Sequence, residues 1–221
     1  MQKHALIFGA TGAVGRELLK LCLEGDRYSR VTIIARRSAS VEHQKLHWIE
    51  AGFDTLHGLE PVAGMKDGDA YCCLGTTMKA AGSEANFRRV DHDYVLNAAR
   101  FAKKCGVRQF CMVSALGADP RSNGLYSRTK GEVEEAVIAE GFTFLRIFRP
   151  SLLKGERDEF RLAEEVGNWV SLLLTPLFHL GLRKYQPVEI PKLARAMYFS
   201  ADEDKINSDH HIFESDEIQR Y

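Results

Sequence analysis

The sequence predicts an α/β fold in three layers: a doubly wound parallel sheet with helices on both faces and a small C-terminal segment covering the substrate side. Three observations carry this. Apolar strand-like runs alternate with helical patterns through the first two thirds of the chain, the rhythm of βαβ units. The run Gly9-Ala10-Thr11-Gly12-Ala13-Val14-Gly15 sits between an apolar stretch and a helical one, where such a sheet binds its ligand. At 221 residues the chain suits one domain with a full core better than two small ones. It is therefore read as a single Rossmann-like domain over 1–221, with 1–150 as a dinucleotide-binding core and 151–190 as a candidate lid over the substrate.

The first strand, near 4–9, contains Ala5-Leu6-Ile7-Phe8 and feeds the glycine run, which opens into a helix over 13–25. Glycines at the first two positions permit a tight turn and close approach of backbone to a pyrophosphate. The third lets helix pack on strand, and the helix N-terminus offers free N–H groups. The spacing is G-x-x-G-x-x-G rather than G-x-G-x-x-G, so the position between strand and helix carries the reading. A phosphate cradle is expected from Gly9, Thr11, Gly12, Ala13, Val14 and Gly15. The second strand, 30–35, ends in Arg36-Arg37, where an NAD-binding chain usually carries an acid for the ribose 2′-hydroxyl. Two guanidiniums suit a 2′-phosphate instead, through bidentate contacts. NADP(H) is thus expected in preference to NAD(H), with Arg16 a lesser phosphate partner.

A third strand is expected at 46–50 and a fourth at 69–74, the latter ending in Leu74-Gly75-Thr76-Thr77. Small residues there let the backbone approach the adenosine half of a cofactor. A helix follows over 84–105, then a fifth strand over 108–114 that ends at Ser114. Twelve residues on, Tyr126-Ser127-Arg128-Thr129-Lys130 heads a helix over 124–140. Tyr126 and Lys130 are four apart and share one helix face, so the ammonium can sit beside the phenol and draw a pKa near 10 toward working pH. A tyrosine so tuned is a general acid or base. The sixth strand spans 142–148. After Arg149-Pro150 the chain is polar over Lys154–Arg161, helical to about 180 and looped through Pro187. A short helix over Pro191–Ser200 and a strand candidate, His211-Ile212-Phe213, complete it.

The glycine run, Cys72-Cys73-Leu74-Gly75-Thr76-Thr77, Val90-Asp91, Asp93-Tyr94-Val95-Leu96, Val113-Ser114-Ala115, Gly117-Ala118-Asp119 and Lys130-Gly131-Glu132-Val133-Glu134 together resemble one protein family. It is the atypical, NAD(P)-binding branch of the short-chain dehydrogenase/reductases, the branch related to the human HIV-Tat-interacting tumour suppressor. The resemblance implies an oxidoreductase that transfers hydride to or from a carbonyl-like small molecule, with Ser114, Tyr126 and Lys130 catalytic. Ser114 would orient the substrate carbonyl and Tyr126 would donate its proton, while Lys130 would also hold the nicotinamide ribose. Pro150, Ser151 and Leu152 would meet the nicotinamide carboxamide. Many members carry an asparagine in the fourth helix for a proton relay. The matching position here is Asp91, with Asn97 a turn and a half later, a departure from that pattern. Some atypical members keep fold and cofactor without turnover, so the alternative is an NADP(H)-binding regulatory or redox-sensing protein with a protein partner.

Other features narrow the field. Lys+Arg and Asp+Glu each total 30, giving a formal net charge of zero and no global attraction to nucleic acid or anionic membrane. The five cysteines form no C-x-x-C pair and read as reduced core thiols, with no metal site expected. Met1-Gln2-Lys3-His4 runs into the first strand without signal-peptide features, so a cytoplasmic location is expected. Residues 169–182 are apolar but interrupted by Ser171, Thr175, Pro176 and His179, and too short to span a bilayer. They read as a buried or pocket-covering helix, with membrane-surface contact or an oligomer interface as the alternative. Glu132, Glu134 and Glu135 read as the solvated face of the Tyr126 helix.

Overall fold

The computed structural model describes residues 3–37, 41–155, 183–202 and 210–221. Seven parallel strands form the main sheet: β1 (Lys3–Phe8), β2 (Tyr28–Ala35), β3 (Leu46–Glu50), β4 (Asp69–Cys72), β5 (Gln109–Val113), β6 (Phe144–Arg149) and, last in sequence, β9 (His210–Glu214). Their spatial order is β3-β2-β1-β4-β5-β6-β9. A separate two-stranded parallel ribbon pairs β7 (Leu153–Lys154) with β8 (Val188–Glu189). The helices are α1 (Ala13–Glu24), α2 (Met78–Ala81), α3 (Glu84–Arg88), α4 (Tyr94–Lys104), α5 (Leu125–Ala139), α6 (Ile190–Phe199) and α7 (Ser215–Ile218). This is the expected doubly wound, Rossmann-like α/β architecture. The expected segment 169–182, and most of the expected lid, fall outside the described residues.

β1 is buried from His4 to Phe8 because helices cover both faces of the sheet, which is why it reads as a continuous apolar run. On one face, Leu18, Leu19, Cys22 and Leu23 of α1 meet Leu193, Ala194, Ala196 and Met197 of α6 over Ile7, Val31 and Ile33. On the other, Val95, Ala98, Ala99 and Ala102 of α4 and Val133 and Val137 of α5 cover Leu6, Phe8, Phe110 and Ile147. α1 and α6 approach closely at Gly25, where a Cβ would stand 2.2 Å from the Tyr198 hydroxyl.

The chain order reverses across β1: β2 and β3 lie to one side, and β4 onward to the other. In such a sheet the crevice for ligand opens above the C-terminal ends of the strands flanking the reversal. The registers align those ends, Phe8 with Ile34 and Cys72, Cys72 with Met112, and Val113 with Phe148. Gly9, Arg36, Cys73 and Ser114 therefore leave the sheet along one edge.

The expected helix over 84–105 is not uniform. α3 and α4 are joined by a π-helical turn, Arg89–Asp93, in which the Tyr94 N–H donates to the carbonyl of Arg89 five residues back. Such a turn inserts one residue into a helix and is often found where function needs it. Here it buries Asp91 while Phe87 before it and Val95 after it both keep to the core.

Candidate functional site

The glycine run turns at Gly9, whose φ of +81° falls in the region open to glycine, and the Gly12 N–H closes the turn on the Gly9 carbonyl at 3.1 Å. A Cβ on Gly9 would lie 2.8 Å from the Cys73 carbonyl, and one on Gly15 would lie 2.1 Å from the Gly9 carbonyl oxygen. The first glycine thus lets the β1 exit pass against the β4 exit, and the last seats α1 on β1. No side chain caps α1 and no acid occupies its first turn, so its N–H groups and dipole are left for an anion.

From this cradle a cleft extends both ways. Toward β2 it widens to a chamber of about 610 Å³ walled by Arg36, Arg37, Phe53, Val90 and Tyr94. Toward β5 lies a smaller chamber of about 190 Å³, which Ser114, Tyr126, Lys130 and Asp91 line with Val113, Leu153 and Ile190. Gly12, Cys73, Leu74 and Gly75 border both chambers. The small residues that a Cβ would crowd, the uncapped helix end and the length of the cleft fit a bound dinucleotide.

The wall of the larger chamber is assembled from remote segments. Arg89 holds Asp54 through two hydrogen bonds of 3.0 and 2.7 Å, Tyr94 donates to the same carboxylate at 2.9 Å, and Phe53 packs on the Tyr94 ring. Burial and the Asp54 contact push the Tyr94 phenol up, with the Arg89 charge and then the Arg36 charge working against them. Asn97 donates to the Phe53 carbonyl at 3.0 Å. It braces this wall and does not reach the smaller chamber.

In the smaller chamber, Lys130 and Asp91 form a buried ion pair at 2.7 Å, and the second Asp91 oxygen accepts the Thr76 N–H at 2.8 Å. Burial pulls the Lys130 ammonium down, but the Asp91 charge, the Tyr126 phenol and the hydrogen bond to Asp91 overcome it and hold Lys130 above the ordinary lysine range. Tyr126 rests on the buried Phe87 ring, centroids 5.7 Å apart. Ser114 is buried at the end of β5, and its hydroxyl donates to Glu134 of α5, which is gripped in turn by the Arg149 guanidinium at the end of β6. A serine hydroxyl has one proton. With that O–H directed at Glu134, Ser114 offers lone pairs to the chamber it lines. Burial pushes the Cys72 thiol up to about 12 and that of Cys73 well above its ordinary value, so neither supplies a thiolate at neutral pH.

A family model described as NAD(P)H-binding matches residues 9–168, a span that holds every lining residue of the two chambers except Ile190. This chain belongs to the NAD(P)H-binding family. HTATIP2 of Rattus norvegicus is 39% identical over 164 residues, 73% of this chain and 67% of that protein. FMP52-2 of Scheffersomyces stipitis, named mitochondrial, is 33% identical over 189 residues, 80% of this chain and 82% of its own. Among solved structures, the Bordetella bronchiseptica enzyme WbmH in complex with NAD+ shares the fold, with a TM-score of 0.64 at 20% identity over 97% of this chain and 76% of that one. These likenesses support an atypical, short-chain-reductase-like member of the NAD(P)H-binding family.

Two expectations need correction within this family setting. The cytoplasmic location does not stand, because FMP52 relatives of Scheffersomyces stipitis and Candida albicans, 33% and 34% identical, are named mitochondrial. Missing secretory features say nothing about that organelle. Glu134 is not part of a solvated face: it is 3% exposed, while Glu132 pairs with Arg88 and Glu135 is exposed.

Most of the residues singled out in the sequence meet at the cleft. Gly9, Thr11, Gly12, Arg36, Arg37, Leu74 and Gly75 line the larger chamber; Ala13, Val14, Thr76, Thr77, Ser114, Tyr126 and Lys130 line the smaller. Arg16 lines neither, and Gly15 serves from beneath. Pro150, Ser151 and Leu152 are also absent from the lining, for a visible reason. The Ser151 N–H donates to Ser215, its hydroxyl donates to Gln186, and the Leu152 carbonyl accepts the Val188 N–H, all directed into the β7–β8 ribbon and α7. Leu153 and Ile190 stand at the cleft in their place. They lie on or beside two-residue strands, too short for any periodic signal.

Proposed function

We propose that this protein is an NADP(H)-dependent oxidoreductase that moves hydride to or from a carbonyl-like small molecule. The observation that carries the reading is the single cleft that joins two guanidiniums at one end to Tyr126, Lys130 and Ser114 at the other. Arg36 and Arg37 would hold the 2′-phosphate, the Gly9–Gly15 turn and the α1 N-terminus the pyrophosphate, and Lys130 the ribose beside the nicotinamide. The bound cofactor supplies the hydride. Tyr126 holds the transferable proton at its phenolic oxygen. Lys130, fixed by Asp91, keeps a positive charge beside that oxygen. Because the Ser114 O–H is donated to Glu134, donation to the reacting oxygen falls to Tyr126, and Ser114 forms part of the wall beside it. Leu153, Val113 and Ile190 give the chamber an apolar wall, which strengthens each of these contacts.

Two measurements test this. NADPH binding, followed by nicotinamide fluorescence, is expected to be at least about tenfold tighter than NADH binding, and Arg36→Ala/Arg37→Ala is expected to erase the difference. Equal affinities in the native protein would refute the phosphate assignment. Against a panel of aldehydes and ketones, Tyr126→Phe is expected to lower turnover by about a hundredfold or more with NADPH affinity retained. Tight NADPH binding with no turnover across the panel would favour the regulatory alternative.

A further inference from the structure

We infer that Asp91 is a positioning residue that fixes Lys130 in place and offsets its charge, so that Tyr126 faces the cleft carrying its proton, set to reduce a carbonyl rather than to oxidise an alcohol. The inference rests on the oxidoreductase reading and names the direction in which that site is poised.

The geometry leads there in steps. Asp91 and Lys130 are 1% and 4% exposed, and their charged atoms are 2.7 Å apart. The carboxylate has no freedom to leave, because its other oxygen holds the Thr76 N–H at 2.8 Å and the π turn commits its backbone. The pair lies against Gly75, where a Cβ would make ordinary van der Waals contact with it, 3.4 Å from Asp91 and 3.8 Å from Lys130. Among the described residues, Asp91 and Lys130 are the only charged side chains that line the chamber with Tyr126. Phe87 from α3 is apolar, Ser114 from β5 is neutral, Cys72 from β4 is a thiol, and the Glu134 charge behind Ser114 is met by Arg149.

A lone cation beside a phenol favours the phenolate, whereas a cation with a carboxylate in contact presents a much smaller net field. An amide at position 91 could hold Lys130 by one hydrogen bond but could not cancel its charge. The acid at this position is therefore not interchangeable with the asparagine of relay-type members. Each of its oxygens already has a fixed partner, one the Lys130 ammonium and the other the Thr76 N–H. Its effect is exerted through Lys130 on the protonation of Tyr126. In the reducing direction the balance is simple. The carbonyl carbon gains a hydride and its oxygen gains the Tyr126 proton, giving an alcohol and leaving a phenolate that takes its proton back from solvent.

The test needs neither substrate nor cofactor. The protein is labelled with tyrosine carrying 13C at Cζ, the Tyr126 resonance is assigned with Tyr126→Phe, and its titration is followed by NMR in the apo protein. In Asp91→Asn the midpoint is expected to fall by at least about one pH unit, roughly tenfold more phenolate at a given pH. In Asp91→Asn/Lys130→Met, which removes both charges, it is expected to stay within about half a unit of the native value. An unchanged or raised midpoint in Asp91→Asn would overturn the inference. Should that variant fail to fold, a double variant displaced by more than about one unit would overturn it equally. Lack of NADPH binding or of turnover would count against the oxidoreductase reading instead, without touching these titrations.

Discussion

Single residues set the tolerances of the cleft, and two of them are sharply testable. Gly9→Ala places a Cβ 2.8 Å from the Cys73 carbonyl at a φ of +81°, against the Cys73–Leu74 backbone, with no flexible side chain that could move aside. A loss of about 2–4 kcal/mol is expected in denaturant unfolding, together with weakened NADPH binding. Gly12→Ala, whose added Cβ has its nearest neighbour at 3.4 Å, is expected to cost less stability. Glu134→Ala strips the acceptor from both Ser114 and Arg149, and about 2–3 kcal/mol is expected to be lost by the same measurement, with Glu134→Gln losing less. The glycine spacing and the Tyr126–Lys130 step were legible because each follows from one local geometric demand. Glu134 was legible in principle. It stands four residues after Lys130 and eight after Tyr126, on their face of α5, and helical spacing separates it from Glu132 and Glu135. Grouping the three by charge rather than by angle hid it.

At the scale of elements, strands were readable wherever burial on both faces produced an apolar run, as in β1, while the edge strand β3, expected over 46–50, spans Leu46–Glu50 without a fully buried residue. What the pattern could not show was the break in the long helix. A π turn changes the hydrogen-bond step without changing residue types, so Arg89–Asp93 carries no composition signal, and Asp91 reaches Lys130 only because of it. The loop before α5 is a second device of this kind. Gly131 sits so close beneath it that a Cβ would lie 2.2 Å from the Pro120 nitrogen, and the Asp119 N–H is tied to the Ser127 carbonyl at 3.0 Å. Gly131→Ala is therefore expected to lift this loop and disturb the first turn of α5. The predicted outcome is a melting temperature several degrees lower, with turnover falling further than NADPH affinity. Equal losses in both would mean that the loop supports the whole cleft rather than Tyr126.

Across the whole molecule, the sheet carries a pH dependence of its own. His4 of β1 is buried and shares a 2.8 Å hydrogen bond with Thr32 of β2. Burial, then the nearby Arg30 charge, lowers its pKa to about 4. The unfolded chain, with histidine near 6.5, binds a proton that the folded chain refuses between those two values. Its contribution is thus complete above about pH 6.5 and is lost as pH falls through about 4, a swing of about 2–3 kcal/mol. Urea unfolding at pH 7.5 and 4.5 is expected to show that swing in the native protein and a smaller one in His4→Gln. The parallel order of seven strands could be foreseen from the βαβ rhythm, whereas the β7–β8 ribbon that turns Ser151 and Leu152 away from the cleft could not. It depends on pairing across more than thirty residues of chain, between Leu153 and Val188, and sequence periodicity reports only neighbours.

The narrow border of Gly12, Cys73, Leu74 and Gly75 between the two chambers has a consequence for how affinity is built. A molecule that fills only the wide chamber, such as adenosine 2′,5′-bisphosphate, and one that fills only the small chamber, such as nicotinamide mononucleotide, would each bind weakly. Joined across the border, the second half arrives at an effective concentration in the millimolar range or above, so the two weak affinities multiply. The cleft would then work as a bivalent receptor: it grips by its phosphate-binding half, it acts through its tyrosine half, and the four residues between set how faithfully one is coupled to the other.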